Sequence, residues 1–149
     1  LAPQSGSMGY GIPAAIAAKI VHPERRVVCF AGDGDFQMNC QELATAAQAG
    51  AQPVILILNN GIYGTIRAHQ EREYPGRVSG TDMVNPDFAA LARSYGAHAE
   101  TVEKTEDFGP AFERAQASGK PALLHLKLDP EAITPARSLS QIRAEAEAK

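Results

Sequence analysis

Three mainly apolar segments lie along the chain, and Gly, Pro, Asp or Asn residues lie beside each of them. The first two are uninterrupted at residues 27–31 and 54–58, whereas the third, residues 121–128, also contains His125 and Lys127. Uninterrupted runs rich in Val, Ile and Leu are typical of strands that are covered on both faces of a parallel sheet. These runs predict strands at residues 26–31, 54–58 and 121–128. A shorter strand is predicted at residues 98–102.

The segments between these strands have helical features. Residues 13–20 combine a proline near the first turn with a series of small helix formers. Residues 36–50 carry apolar side chains at near-helical spacing and end on a glycine that suits a C-cap. Further helices are predicted at residues 85–95 and 105–119, each with a glycine at its end.

Two polar stretches lack this alternation. Residues 61–82 are rich in Arg, Glu and Gly without sustained periodicity, so they predict a long functional loop with a short helix around residues 65–71. Residues 139–149 are charged and carry few apolar side chains. They predict a surface helix that is solvated or frayed.

Strands that alternate with helices at this spacing imply right-handed βαβ crossovers. The predicted fold class is therefore α/β, with an open, mainly parallel sheet and helices on both faces. We expect one domain at residues 1–130 and a C-terminal tail with a surface helix at residues 131–149. Because Leu1 is not a methionine and opens a loop-like segment, we expect the chain to be part of a longer protein.

Composition narrows the possible partners. With 44% hydrophobic and 21% charged residues the chain is typical of globular proteins. Its net charge of -3 offers no basic surface for nucleic acid or anionic lipid. Neither a membrane span nor a signal peptide is visible, so we expect a cytoplasmic protein with no membrane or nucleic-acid partner. Cys29 and Cys40 lack a disulfide or metal-ligand pattern and are predicted to be inert thiols.

Polar side chains follow the first two predicted strands. Asp33 stands between Gly32 and Gly34 at the end of the first, and Asn59-Asn60 closes the second after 24 intervening residues. The carboxyl ends of parallel strands face the ligand crevice, so these groups are expected at the same edge of the sheet. Carboxylate and amide oxygens are hard ligands of the kind that Mg2+ prefers.

The residues around Asp33 and Asn60 support a site for both a metal and a phosphate. The amides of Gly34 and Asp35, at the start of a helix, would fit a phosphate. Because Asp33 is itself an anion, a phosphate about 4 Å away would be repelled by roughly 1 kcal/mol in water, and a cation between them reverses the sign. A glycine after Asn60 lets the chain turn, so that a carbonyl such as that of Ile62 can become a third ligand.

Other uses of these residues remain open. Asp33 alone could be a helix N-cap, and Asn59-Asn60 alone could be a turn after a strand. A dinucleotide site fails at Gln37, where the third glycine of its fingerprint should stand. The glycine cluster at residues 6–11 follows no strand, so it is a weak candidate for a phosphate loop.

Gly32-Asp33-Gly34, the 24-residue spacing and Asn59-Asn60 resemble the thiamine diphosphate motif of thiamine-dependent enzymes. Residues 6–15, 36–38 and 41–45 also resemble the C-terminal cofactor domain of the acetolactate synthase and 2-oxo acid decarboxylase group, and the similarity extends to about Pro130. The resemblance implies that residues 1–130 are a diphosphate-binding domain, truncated at its N-terminus. Thiamine diphosphate and Mg2+ are the cofactors it implies.

The resemblance also implies roles for individual residues. Asp33, Asn60 and the Ile62 carbonyl would hold Mg2+. Met8 would wedge its side chain under the bent cofactor, while its amide and the Gly6 carbonyl would bind the aminopyrimidine. The implied cofactor-binding residues are Gly6, Ser7, Met8, Gly32, Gly34, Asp35, Asn60, Gly61 and Ile62.

In this family a glutamate from the pyrimidine-binding domain of a partner subunit drives the cofactor's tautomer, and no segment here resembles that domain. The resemblance therefore implies a homodimer or homotetramer, with pyrimidine-binding domains in the full-length protein and in its partner subunit. A 2-oxo acid is the implied substrate. The 149-residue chain by itself is expected to be inactive.

Two positions depart from the family pattern. Ile66 stands where simple pyruvate decarboxylases carry a catalytic glutamate, which favours the synthase-like branch. His69 replaces a synthase tryptophan; it is the one possible catalytic residue here, with an exposed loop histidine as the alternative. Arg67, Arg72 and Arg77 could attract a carboxylate substrate or merely solvate the loop. The other histidines, His22, His98 and His125, have no convergent partner in sequence and are expected to be structural.

The sequence thus predicts a thiamine diphosphate-binding domain of an acetolactate synthase-like enzyme that cleaves or forms C-C bonds at 2-oxo acids. The alternative is a non-catalytic ligand-binding or interaction module that retains the same fold.

Overall fold

The computed structural model describes residues 5–149 and divides the chain into two compact units. The first unit comprises the described residues up to Asn59 together with Pro86–Lys127, and the second comprises Asn60–Asn85 and Leu128–Lys149. In chain order the helices and strands are α1 (Gly11–Val21), β1 (Val28–Gly32), α2 (Asp33–Gln37), α3 (Glu42–Ala49), β2 (Val54–Asn59), α4 (Gly64–Glu73), α5 (Phe88–Ser94), β3 (His98–Val102), α6 (Thr105–Ala117), β4 (Ala122–Lys127) and α7 (Leu139–Glu147).

The first unit is built on a four-stranded sheet in the order β1-β2-β4-β3, and every neighbouring pair is parallel. Val28 to Gly32 pair in register with Val54 to Leu58, so β1 and β2 end side by side. Helices α1 and α5 cover one face of the sheet and α6 covers the other. The predicted α/β class, with a parallel sheet and helices on both faces, is confirmed.

Apolar packing differs between the two faces. The larger cluster lies under α1, α3 and α5 and includes Phe36, Leu43 and Phe88, whereas the smaller one joins Leu56 and Leu124 to α6. On the face of β1 that carries Val28 and Phe30, Val28 packs partly against the smaller cluster, but Phe30 is 68% exposed. The prediction that this strand is buried on both faces is therefore wrong within this chain.

The single helix predicted at residues 36–50 is instead two helices, α2 and α3, with a turn between them. Asn39 lies in that turn and donates its side-chain amide to the Gly9 carbonyl at 2.7 Å. This long-range bond is made by a residue of the turn that separates the two helices. The apolar spacing suggested a single helix because Phe36 and Leu43 are buried in the same cluster, although they belong to different helices.

The second unit contains α4 and α7, and its core is a small cluster of Ile62, Ala68, Leu139 and Ile142. The short helix predicted inside residues 61–82 is confirmed as α4, but the stretch is not an open loop, since an antiparallel bridge joins Ile62 to Asp82. The C-terminal helix is also confirmed. Its predicted full solvation is wrong, because two of its residues are part of that core.

Candidate functional site

Asp33 lies where β1 ends and α2 begins, and its side chain is buried. Its Oδ1 accepts the amide of Gly34 at 3.0 Å. The residue that caps α2 is Gly32, whose backbone is extended, so the N-cap role considered for Asp33 is wrong. A carboxylate loses hydration on burial and is retained at such a position when a charged or polar partner compensates.

Hydrogen bonds of Gly9 attach the segment before α1 to α2 and to the turn after it. The amide of Gly9 donates to a carboxylate oxygen of Asp35, and its carbonyl accepts from Asn39. Gly9 itself is buried with φ of 82°, a conformation that side chains other than glycine rarely adopt. The segment therefore has a fixed attachment next to Met8, whose side chain is 42% exposed.

Substituting Gly9 by Ala should destabilise the first unit by about 1–3 kcal/mol. A Cβ at this position would lie 2.7 Å from Asn39 Nδ2 and 3.1 Å from Met38 Cβ, in addition to the positive φ. Chemical denaturation measures the loss. Gly119→Ala is a matched control, because it has a positive φ but no atom within 4 Å of the added carbon. Equal losses in the two variants would show that the close contact contributes nothing.

Asn59 ends β2 and contacts a buried histidine on the neighbouring strand. Its Nδ2 lies 2.6 Å from Nε2 of His125, and both residues are buried. The ring of His125 packs edge-on against Phe88, with centroids 5.1 Å apart. This pair was not predicted from the sequence, because its members are 66 positions apart.

Burial lowers the pKa of His125 below its ordinary value of 6.5, Lys127 adds to the lowering, and Asp87 and Asp33 oppose it. The unfolded chain therefore binds a proton at this histidine at a higher pH than the folded chain does. The stability from the neutral ring is complete above about pH 6.5 and declines as the pH falls, by up to ~1.4 kcal/mol per unit. Denaturation curves between pH 7 and 5 should show this decline. A His125→Phe curve with an equal slope would contradict it.

In the second unit, Asn60, Gly61 and Ile62 form a turn. The Ile62 amide donates to Asn60 Oδ1 at 3.2 Å, and Gly61 has φ of 70°. The bridge to the 81–83 segment uses the Tyr63 amide and the Gly61 carbonyl, not the carbonyl of Ile62. An amide oxygen has two lone pairs, so Asn60 keeps one for a further ligand.

Apolar side chains of the C-terminal segment pack against this turn. The Ile62 side chain is buried in the cluster with Leu139 and Ile142 of α7. A Cβ at Gly64 would come within 2.6 Å of Ile133 Cδ1 and 3.1 Å of Asn60 Nδ2, so only glycine fits beside the Asn60 amide without a shift. The C-terminal segment thus supports the turn, a role that its charged sequence did not indicate.

The three arginines considered for substrate attraction differ from one another in role. Arg67 is buried, donates to Thr81 at 2.6 Å and pairs with Asp82. It is therefore a structural residue and not one of the loop cations considered for substrate attraction. Arg72 is exposed and lies 3.3 Å from the ring of His69, which is also exposed. Arg77 lies over the ring of Tyr74.

A buried ion pair joins the two helices of the second unit. Glu71 of α4 is fully buried and accepts two bonds from the guanidinium of Arg143 in α7, one of them at 2.7 Å from Nε. Its Oε2 also accepts the Gly76 amide. The bond from Arg143 is the chief cause that holds the pKa of Glu71 below its usual range.

The residues fit a hard divalent ion better than a soft one. Among residues 5–149 no group of three His, Cys, Asp or Glu side chains could hold a metal. The predicted ligands are instead one carboxylate, one amide oxygen and one carbonyl, a set that leaves room for phosphate oxygens and water on Mg2+. Cys29 does not compete, since burial and then the Asp35 charge raise the pKa of its thiol to about 11.

Both cysteines are unpaired. Nε2 of His98 lies within hydrogen-bond distance of Glu100 Oε1, at 2.9 Å. No helix in the part of the chain that the structure describes is long and apolar enough to cross a membrane.

Residues 2–126 match the family model described as "Thiamine pyrophosphate enzyme, C-terminal TPP binding domain". An acetolactate synthase from Arthrospira platensis is 40% identical over 125 residues, which are 83% of this chain and 22% of that protein. An acetolactate synthase large subunit from Haemophilus influenzae is 53% identical over 93 residues, 62% of this chain and 16% of that protein. The chain thus spans about a fifth of the length of these relatives.

A solved structure shows the same similarity. The thiamine diphosphate-dependent 4-hydroxybenzoylformate decarboxylase of Rhodococcus jostii RHA1 superposes with a TM-score of 0.80 and 38% identity. The match covers 85% of this chain and 24% of the decarboxylase.

Proposed function

Because the chain belongs to the thiamine pyrophosphate enzymes, as their C-terminal TPP-binding domain, we propose that it binds thiamine diphosphate through Mg2+ in an acetolactate synthase-like enzyme. That enzyme would cleave or form C-C bonds at 2-oxo acids. The observation that carries the proposal is the buried carboxylate of Asp33 at the carboxyl end of β1, within the segment that matches the family.

We assign the metal to Asp33, to Asn60 Oδ1 and to the carbonyl of Ile62. The burial of Asp33 supports this assignment, since a divalent cation would compensate its charge. The turn at Gly61 supports it as well, because it leaves an Asn60 lone pair and the Ile62 carbonyl outside the bridge.

The diphosphate would lie against Gly32, Gly34, Gly61 and the Asp35 backbone. The Asp35 side chain already binds the Gly9 amide, so its contribution to the diphosphate is its own backbone amide. On the other side, Gly6, Ser7 and Met8 would hold the aminopyrimidine. The attachment of Gly9 to α2 supports this assignment because it fixes the backbone next to Met8.

The cofactor would supply a carbon nucleophile toward a ketone carbon and an electron sink for decarboxylation. This chain would bind and orient it. The activating glutamate would come from a pyrimidine-binding domain of a partner subunit, so the active enzyme would be a homodimer or homotetramer. His69, exposed on α4, is the proposed proton-exchanging residue of this chain. Two unpaired cysteines favour a reducing compartment such as the cytoplasm.

Calorimetry tests the binding proposal. Thiamine diphosphate titrated into the chain with Mg2+ should give saturable heat that disappears when the metal is chelated. Binding that survives chelation would contradict the metal assignment. A module that has lost the pocket would give no heat at millimolar ligand with Mg2+ present.

Turnover tests the proposed need for a partner domain. The 149-residue chain supplied with pyruvate, thiamine diphosphate and Mg2+ should show no product above the rate without protein. Adding a pyrimidine-binding domain should be required for activity. Full turnover by this chain alone would show that the activating glutamate is not needed from elsewhere.

A further inference from the structure

His125 occupies a position that an apolar residue would fill. Its side chain is 2% exposed on β4, its ring packs against Phe88, and Phe88 packs against Phe36 with centroids 5.5 Å apart. All three rings lie on the face of the sheet that carries the larger apolar cluster. A phenylalanine or leucine here would bring no polar atoms that need a partner, so the presence of histidine requires a reason.

The bond to Asn59 fixes the chemical form of this ring. An amide NH2 can only donate, so Nε2 of His125 must supply the lone pair for the 2.6 Å contact. The ring is then neutral, with its hydrogen on Nδ1. Nδ1 is buried and has no hydrogen-bond partner among the described residues. The ring thus leaves one buried donor unsatisfied and gains the bond to Asn59.

The position of Asn59 matters for the motif, because Asn59 is the last residue of β2 and Asn60 follows it directly. Phe36, at the other end of the aromatic row, belongs to α2, the short helix that Asp33 opens. One buried row therefore extends from the helix that begins at Asp33 to the residue that precedes Asn60.

We propose that His125 is a positioning residue for the Mg-diphosphate motif: as a neutral ring with its hydrogen on Nδ1, it accepts the Asn59 amide and fixes the strand end from which Asn60 continues. The inference rests on the proposed metal-binding role of Asn60. His125 touches neither metal nor cofactor in this proposal and acts through Asn59.

The tautomer can be measured on the unliganded chain. Long-range 1H-15N correlation spectra at pH 7.5 distinguish a protonated Nδ1 from a protonated Nε2. We expect the Nδ1-H form for His125, while exposed His22 serves as the internal reference for a solvated ring. An Nε2-H form would overturn the inference, since that ring cannot accept the Asn59 amide.

Three variants test the effect on the motif. His125→Phe keeps the ring but removes the acceptor, and we expect the affinity for thiamine diphosphate in saturating Mg2+ to fall about 10-fold. His125→Gln retains an acceptor and should stay within about threefold of the wild type. Leu124→Val opens space on the opposite face of the same strand, so it controls for stability and should bind as the wild type does.

Two outcomes would overturn the positioning role. One is an unchanged affinity for thiamine diphosphate in His125→Phe, and the other is an equal loss of that affinity in Leu124→Val. Proton-nitrogen spectra of His125→Phe establish that the variant is folded, and if it is not, the Gln variant and the tautomer decide. Absence of Mg-dependent binding in the wild type would instead contradict the proposed function, and the tautomer would still test the Asn59 contact without any cofactor.

Discussion

Replacing Arg143 by Leu is expected to destabilise the second unit by about 3 kcal/mol, because the substitution leaves the fully buried carboxylate of Glu71 without its cation. Breaking a buried ion pair typically costs ~3–5 kcal/mol. We expect the lower end of that range, since the Arg143 side chain is 39% exposed and water screens part of the interaction. Because the chain has no tryptophan, chemical denaturation followed by far-UV circular dichroism measures the loss.

Two further variants separate charge from packing. The double variant Glu71→Leu/Arg143→Leu should recover most of the lost stability, because no unpaired charge remains inside. Arg137→Ala breaks an ion pair with Glu145 whose two side chains are about half exposed, and it should cost no more than ~0.5 kcal/mol. If Arg143→Leu cost no more than Arg137→Ala, the buried pair would be unimportant for the packing of α7 on α4.

The second large effect is expected at Asp33. Asp33→Ala removes the only charged side chain among the proposed metal ligands, so Mg-dependent affinity for thiamine diphosphate should fall about 100-fold or more, equivalent to ~2.7 kcal/mol. Calorimetry measures the affinity, and denaturation curves recorded without metal establish that the variant is folded.

Asp107→Ala is the matched control for Asp33. Asp107 is an exposed aspartate in the first turn of α6, the helix that follows β3, and β3 is the edge strand opposite β1. Its removal should leave cofactor affinity unchanged. A comparable loss in both variants would indicate a general charge effect, and retained affinity in Asp33→Ala would exclude Asp33 as a ligand.

The chain's local patterns were sufficient to predict the strands, and they select the residues of the proposed motif. The run that became β2 is uninterrupted and apolar, and a strand with two buried faces leaves little alternative. The segment that became β4 is mostly apolar but includes His125 and Lys127. Asp33 and Asn60 could be selected because their residue types, the glycines beside them and the spacing between them all match the thiamine diphosphate motif. The parallel register of β1 and β2 then follows from the fold class.

What the sequence did not reveal depends on contacts between distant residues. The break between α2 and α3 is associated with Asn39 binding Gly9, 30 positions away. The buried pair of Glu71 and Arg143 is separated by 72 positions, and each residue alone is typical of a solvated helix face. Periodicity reports which side of a helix is apolar, but it carries no information on which charged side chain finds a partner.

The partly exposed strand β1 has a similar explanation. Residues 27–31 have the pattern of a strand buried on both faces, and the structure leaves Phe30 exposed. The helix on that face, α6, packs on β3 and β4, whereas β1 lies at the opposite edge of the sheet. The run of apolar residues therefore predicts a strand, but it does not show which of its side chains a helix covers.

Mn2+, as a paramagnetic substitute for Mg2+, tests whether one ion is bound by both Asp33 and Asn60. With thiamine diphosphate present, Mn2+ should selectively broaden the backbone amide signals of residues 33–35 and of residues 60–62, and Asp33→Ala should abolish the broadening of both stretches. Both stretches should respond together at the same low Mn2+ concentration. Broadening confined to one stretch, or centred on acidic residues elsewhere such as those of α6, would contradict a single ion held by Asp33 and Asn60.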